Sequence, residues 1–277
     1  MLTVLTIDDR TYGGDLLSAL ARTLPDRLRV HNLSTPVPVR HLEYIHRRGS
    51  INWRRISKAA GDYTGQLLYS GSIPVPQDAG ITLFEPLELR QRLCGNMALS
   101  VLEMMQEVPK SLRIGLYDPK GEYSDLPEHL LKFTDNLIVV TKNYSVYREQ
   151  AERLLSEYGA VLCVSPHTAL LSTCGFIVSP CCVDKGFTPL SQAVVISGAK
   201  PALPLACRVY YRYSFQLEPA FERLKPEGTD TEVFAAGLYS LCGVYSLGSV
   251  VPLVCSGDTD TQTTLSLRRY LIDCFGT

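Results

Sequence analysis

Five short apolar runs in the second half of the chain constrain its fold more than any other feature. They are RIGLY, NLIVV, AVLCV, GFIV and AVVIS, all within residues 113–197. Each run is apolar at successive positions, and therefore on both faces of a strand, as in strands that are buried between two layers. Residues 143–158, between the second and third runs, have helical spacing, with Tyr147, Ala151 and either Leu154 or Leu155 on one face. The sequence therefore predicts a parallel sheet that is covered on both sides by helices.

The rest of the chain is predicted to add further α/β and helical segments. Residues 1–32 have the pattern of strand, helix and strand, with four leucines on one face of the helix at 13–24. The linkers from the third apolar run to the fourth and fifth are too short for full helices, so we expect an irregular sheet there. Capping-box patterns at 229–232 and 259–262 predict the starts of two helices. The predicted segments are an α/β segment at 1–85, a connecting helix at 86–110, an α/β unit at 111–204, and a strand with helices packing back at 205–277.

Charge and cysteine content exclude several classes of partner and location. The 27 basic and 28 acidic residues give a net charge of -1, so we expect neither nucleic acid nor a membrane surface as a partner. The start, MLTVLTIDDR, lacks the pattern of a signal peptide. Nine cysteines, an odd number, indicate reduced thiols and a cytoplasmic location. The uncharged stretch 233–257 is interrupted by Gly237, Gly243, Gly248 and Pro252, and it predicts a helix followed by a buried strand rather than a membrane span.

The order of elements after residue 112 resembles that of a known family. Strand, turn, helix and strand are followed by the polar triplet Thr141-Lys142-Asn143 and a second helix. This order resembles the nucleotide-binding half of a Rossmann domain. Its position behind an amino-terminal α/β segment is similar to that in shikimate dehydrogenase and related enzymes. The resemblance implies a Rossmann-like parallel sheet at 111–204 and NADP as the alternative cofactor, because a basic residue such as Lys142 suits the 2'-phosphate.

The first turn departs from the pattern of that family. The fingerprint G-x-G-x-x-G is replaced by YDPKGEYSD, in which Pro119 lacks an N–H and Gly121 stands alone. Asp118 and Glu122 are expected to face the anionic ligand, and a like-charge pair at ~4 Å costs on the order of 4 kcal/mol at an effective dielectric of about 20. Two functions therefore remain open. One is a degenerate or non-catalytic module that binds a small anionic ligand or a partner protein, and the other is an NADP-dependent oxidoreductase with an atypical phosphate loop.

Small polar residues follow the predicted strands at the ends where parallel sheets bind their ligands. The predicted ligand-binding residues are Asp118, Gly121, Thr141, Lys142, Ser165, His167, Ser179, Ser197 and Gly198. The same residue types also make ordinary turns, so a purely structural role is the alternative. His167 is the candidate acid or base, because the pKa of a histidine lies near neutrality. No substrate motif of the shikimate type occurs in the first 85 residues, so whether the protein is an enzyme stays open.

A second candidate lies in the basic segment 40–58. Arg47, Arg48, Arg54 and Arg55 are predicted as an anion-binding patch, and the alternative is a solvated helical face. No metal site is expected, because the cysteines form no C-x-x-C pair. The motifs G-x-S-x-G, H-E-x-x-H and Walker A do not occur, so hydrolase and ATPase functions have no support. The sequence leaves the oligomeric state open, including a homo-oligomer.

Overall fold

The computed structural model describes residues 1–11, 23–34, 36–183 and 187–276. These residues belong to two compact units. The first unit comprises 1–86 and 217–247, and the second comprises 87–216 and 248–277. Most of the helix predicted at 13–24 lies outside the described residues. The division into four segments stays a prediction.

The helices and strands alternate along most of the chain. The strands are β1 (Leu2–Asp9), β2 (Arg27–Leu33), β3 (Val39–His46), β4 (Ile114–Tyr117), β5 (Leu137–Val140), β6 (Cys163–Ser165), β7 (Phe176–Ser179), β8 (Val194–Ser197), β9 (Arg208–Tyr210), β10 (Arg212–Ser214), β11 (Val254–Ser256) and β12 (Thr261–Thr263). The α-helices are α1 (Trp53–Ala60), α2 (Leu87–Glu103), α3 (Leu126–Leu130), α4 (Tyr144–Tyr158), α5 (Pro219–Glu222), α6 (Thr231–Cys242) and α7 (Thr264–Phe275). Short 3-10 helices lie at Gly61–Gln66, Gln77–Ala79, Thr168–Thr173 and Tyr245–Ser249.

The first unit contains a three-stranded sheet in the order β1-β3-β2. β1 and β3 are parallel, and β2 is antiparallel to β3. On one face Leu5, Leu42 and Tyr44 form a core with Ile56 of α1. The parallel pairing places Asp9 opposite His46, so both lie at the carboxyl end of this sheet.

The second unit contains a six-stranded sheet in the order β6-β5-β4-β7-β8-β9. Every neighbouring pair in it is parallel. Counted from its first strand this order is 3-2-1-4-5-6, which is that of the Rossmann fold. The predicted Rossmann-like α/β fold is thus confirmed, as is the prediction that the apolar runs form a parallel sheet. A separate antiparallel sheet has the order β10-β11-β12.

Burial on both faces explains why the central strands are continuously apolar. All residues of β4, β5, β7 and β8 are buried. The helix α2 packs against β7 and β8, and it buries Leu93, Met97 and Val101. Tyr147 and Leu154 are the buried residues of α4. The apolar runs are therefore the centre of a layered α/β core.

Three local expectations differ from the structure. The sheet is not irregular after β6, because the 3-10 helix Thr168–Thr173 suffices to connect β6 with β7 in parallel register. At the second capping pattern the chain forms β12 instead, and α7 begins later, where the side chain of Thr263 accepts from the backbone N–H of Ser266. The helix α6 begins one residue later than its pattern indicates, with Asp230 as the cap.

The described residues bear on two expectations about environment. None of their helices combines the length and the apolar character that crossing a membrane requires. All nine cysteines lie in this part of the chain, and each is a free thiol. The cytoplasmic location stays a prediction.

Candidate functional site

The order of the six-stranded sheet reverses between β4 and β7. In open α/β sheets the ligand binds at such a switch point, outside the carboxyl ends of the strands. The segments that leave the sheet there are the loop 118–123 after β4 and the turn 180–182 after β7. We call the first of these the β4 loop.

The β4 loop is organised around the carboxylate of Asp118. This residue is fully buried. Its Oδ1 accepts hydrogen bonds from the backbone N–H groups of Gly121 at 3.0 Å and Glu122 at 3.1 Å. Its Oδ2 accepts from the backbone N–H of Tyr123 at 2.8 Å and from the hydroxyl of Tyr147 at 2.7 Å. An anion of the chain itself thus occupies a nest of backbone donors.

This arrangement changes the role expected for Asp118. In a dinucleotide-binding domain the N–H groups after the first strand meet the pyrophosphate. Here those of Gly121, Glu122 and Tyr123 bind the carboxylate of Asp118, which is buried within the loop and does not face solvent. Burial raises the pKa of Tyr147, and the charge of Asp118 raises it further, so the tyrosine hydroxyl remains a donor. Glu122 is exposed and pairs with Lys120 at 3.6 Å.

Contacts with the turn after β5 hold the β4 loop in place. The side-chain amide of Asn143 donates to the carbonyl oxygen of Lys120 at 3.0 Å, and the backbone N–H of Lys142 donates to that of Pro119 at 3.2 Å. Gly121 has a positive φ of 77°, and a Cβ there would lie 3.2 Å from the Cβ of Asn143. The loop therefore needs a glycine at this position.

The helix that follows the β4 loop differs from that of a dinucleotide-binding unit. α3 contains five residues and includes Pro127. A helix this short has a weak dipole, so it adds little attraction for an anion.

The predicted ligand residues after β7 and β8 are used in packing. The hydroxyl of Ser179 donates to the carbonyl oxygen of Cys181, and that of Ser197 donates to the carbonyl oxygen of Ala199. A Cβ at Gly198 would overlap the carbonyl oxygen of Pro180. Ser179, Ser197 and Gly198 are buried where the structure places them.

Three of the predicted ligand residues lie together in a cleft at the carboxyl ends of β4, β5 and β6. We call it the β5 cleft, and its volume is about 200 Å³. Its lining comprises Tyr117, Pro119, Val140, Thr141, Lys142, Pro166, His167, Thr168 and Ala169. The side chains of Lys142 and His167 are exposed, and no carboxylate belongs to the lining. The hydroxyl of Thr141 accepts from the backbone N–H of Asn143, and that of Ser165, which is buried, accepts from the backbone N–H of His167.

The predicted basic patch lies in the first unit and is divided. Arg47 and Arg48 line a cavity of about 590 Å³. Arg55 donates to the carbonyl oxygen of Asp26 at 3.3 Å. Arg54 is exposed and does not belong to the lining.

Three buried cysteines are poor candidates for a reactive site. Among the described residues there is no group of three or more His, Cys, Asp and Glu side chains that could hold a metal ion. Burial raises the pKa of Cys94 to about 12 and those of Cys174 and Cys181 to about 11. These thiols are therefore protonated near neutral pH and are poor nucleophiles.

Sequence reasoning misses the internal bonding of Asp118 and the part that Tyr147 plays in it. Helical spacing puts Tyr147 on an apolar face, and it is indeed buried, but its hydroxyl is bonded to Asp118. The available signal is the spacing of Asp118 and Gly121. An aspartate followed closely by a glycine is typical of turns in which the carboxylate accepts from the backbone.

The strand order defines a Rossmann-like α/β protein. In its β4 loop the carboxylate of Asp118 occupies the backbone donors that a pyrophosphate would use. No protein-family model matches the chain, and no curated protein matches it. Among solved structures, L-tryptophan dehydrogenase from Nostoc punctiforme is similar at 11% identity and a TM-score of 0.30. The match covers 88% of this chain and 73% of that one. A likeness at this level is no basis for assigning a function.

Proposed function

We propose that this protein is a non-catalytic Rossmann-like module that binds a small anionic ligand in the β5 cleft and does not bind a dinucleotide in the usual way. The observation that carries the proposal is the buried carboxylate of Asp118 in the nest of backbone donors. A pyrophosphate needs the same donors.

Energetics support the exclusion of the pyrophosphate. A hydrogen bond to a charged group contributes roughly 1.5–3 kcal/mol to stability. If a pyrophosphate took two of the backbone donors from Asp118, the protein would lose on the order of 3–6 kcal/mol of that stabilisation. A dissociation constant of about 1 mM corresponds to only about 4 kcal/mol of binding free energy. We therefore expect NAD and NADP to bind with dissociation constants above ~1 mM.

The β5 cleft has the size and charge that suit a small anion. Lys142 supplies a positive charge, His167 supplies an imidazole, and no acid opposes them in the lining. The volume of about 200 Å³ lies below the range of roughly 300–1,000 Å³ that is typical of pockets for drug-sized ligands. A phosphate or a short carboxylate therefore fits the cleft better than a whole nucleotide does.

One observation favours an NADP-dependent oxidoreductase as a second candidate. Lys142 follows β5, the strand after which NADP-binding domains hold the 2'-phosphate. That function would require a pyrophosphate bound without the donors of the β4 loop.

Calorimetry with inorganic phosphate, NAD and NADP tests the proposal. We expect phosphate to bind the unmodified protein and Lys142→Ala to weaken it at least ~10-fold. The control is Lys132→Ala, because Lys132 is an exposed lysine of the same unit outside the cleft. Micromolar NADP affinity in the unmodified protein would favour the oxidoreductase. Equal phosphate binding by all three proteins would contradict the assignment of the cleft.

A further inference from the structure

A larger cavity lies in the first unit, at the carboxyl ends of the parallel strands β1 and β3. Its volume is about 590 Å³. Its lining comprises Asp9, Thr11, His46, Arg47, Arg48, Gly49, Ile51, Trp53 and Ile73. We call it the β3 cavity. The ends of adjacent parallel strands are where α/β proteins place their ligands, and this volume suits a small organic molecule.

A buried histidine forms part of the polar wall of the β3 cavity. His46 is 5% exposed, and its Nδ1 lies 3.3 Å from Oδ2 of Asp26. Because an ionised carboxylate only accepts hydrogen bonds, Nδ1 is the donor. In the neutral ring Nε2 then carries the lone pair, and in the protonated ring it is a second donor.

Asp26 accepts hydrogen bonds from the backbone of Arg47 and Arg48. Within the described residues it forms no ion pair with their side chains. Its Oδ1 accepts from the backbone N–H groups of Arg47 at 2.7 Å and Arg48 at 3.3 Å. Its Oδ2 also accepts from the hydroxyl of Tyr44 at 2.8 Å. Burial raises the pKa of Asp26, but the bonds from the Arg47 N–H, Tyr44 and His46 outweigh this effect and the pKa is lowered. The carboxylate therefore stays ionised near neutral pH and fixes the backbone of the two arginines.

The arginine side chains at the cavity have unused bonding capacity. Within the described residues neither Arg47 nor Arg48 forms an ion pair, and Nε of Arg47 is buried without a hydrogen-bond partner. Asp9 is the one acid of the lining, and its Oδ1 already accepts from the backbone and the hydroxyl of Thr11.

We propose that the β3 cavity binds a small organic anion whose phosphate or carboxylate group lies between Arg47, Arg48 and His46. The apolar part of the ligand packs against Ile51, Trp53 and Ile73, the large apolar residues of the lining. Guanidinium groups bind phosphate and carboxylate oxygens through paired N–H donors, and an indole face packs well on an aromatic or aliphatic group. The site is independent of the β5 cleft.

The single tryptophan of the chain supplies the measurement. Trp53 lines the cavity, so its fluorescence reports occupancy without a label. Phenyl phosphate and benzoate are the probes, and inorganic phosphate is the comparison that lacks an apolar part. We expect a saturable change with at least one of the organic probes, at a dissociation constant below ~1 mM. Inorganic phosphate should bind at least ~10-fold more weakly.

Matched variants assign the binding to this cavity. Arg47→Ala keeps the backbone N–H that bonds to Asp26, so we expect an unchanged melting temperature and an affinity at least ~10-fold weaker. Arg54→Ala is the control, since Arg54 is an exposed arginine next to Trp53 and outside the lining. Lys142→Ala should leave the titration unchanged, and this separates the result from that at the β5 cleft. No saturable change with either organic probe, or equal weakening by Arg47→Ala and Arg54→Ala, would overturn the proposal.

Discussion

Replacing Asp118 by asparagine tests the internal anion of the β4 loop directly. The side chain keeps its shape and loses its charge. If the amide oxygen takes the place of Oδ1, it still accepts from Gly121 and Glu122, but the NH2 group then meets two other donors, the Tyr123 N–H and the Tyr147 hydroxyl. Losing two bonds to a charged acceptor removes roughly 3–6 kcal/mol, and rotation of the tyrosine hydroxyl restores part of it.

We therefore expect Asp118→Asn to lower the free energy of unfolding by about 3 kcal/mol or more, as measured by urea unfolding. At roughly 2–4 °C per kcal/mol for a unit of this size, the melting temperature should fall by about 6–12 °C. The control is Asp135→Asn, because Asp135 is exposed, and its effect should remain within about 0.5 kcal/mol.

A second substitution separates this mechanism from general damage to the loop. Tyr147→Phe removes one of the two donors that oppose the new NH2 group. Its cost in the unmodified protein should therefore shrink or vanish when it is combined with Asp118→Asn. Strictly additive effects, or an Asp118→Asn variant as stable as the unmodified protein, would refute the account of Asp118 as an internal anion.

Three further outcomes are expected from particular contacts. The pKa of Asp26 is lowered in the folded state, so the stability that this carboxylate contributes is fully present above the unfolded pKa of about 3.9 and is lost as the pH falls through the folded pKa. Asp26→Asn should therefore reduce the dependence of urea unfolding on acidic pH. An unchanged dependence would contradict the role assigned to the Asp26 carboxylate. Gly121→Ala should lower the free energy of unfolding by about 1–2 kcal/mol in the same assay, because the φ of Gly121 is positive and Asn143 leaves little room for a Cβ. The control is Gly65→Ala, at a glycine with open space and no positive φ, and it should lower the free energy of unfolding by less. Reductant should leave the melting temperature unchanged because all nine cysteines are free, and a fall of many degrees would reveal a disulfide.

The sequence predicts the parts of the fold that depend on burial. The central strands of the large sheet are apolar on both faces, and such runs are typical of parallel strands that helices cover on both sides. β9 is not among the five apolar runs, because it has three residues and only one of them is buried. The start of α7 differs from the prediction because Thr261–Thr263, which overlaps the capping pattern at 259–262, pairs with β11 instead. Strand pairing is a long-range contact that a local pattern does not contain.

The candidate site is less predictable, because a sequence shows which charges are present and not where they point. The sequence predicts that Asp118 repels a bound anion, yet its carboxylate is buried and bonded to the loop. The β5 cleft brings together Thr141, Lys142 and His167 from two separate turns, as the rule for strand ends suggests. Whether these residues bind a ligand stays a prediction.

Asp118 and Asp26 show how one type of contact can have opposite consequences for binding. Each carboxylate accepts from backbone N–H groups of a loop that follows a parallel strand, and each also accepts from a tyrosine hydroxyl. At Asp118 the bonded N–H groups are those that an external phosphate would need, so the carboxylate blocks phosphate binding at the β4 loop. At Asp26 they belong to Arg47 and Arg48, so the internal acid orders the backbone while the guanidinium groups keep their charge. Removing the first carboxylate should therefore free donors for an anion, whereas removing the second should disorder the residues that bind one.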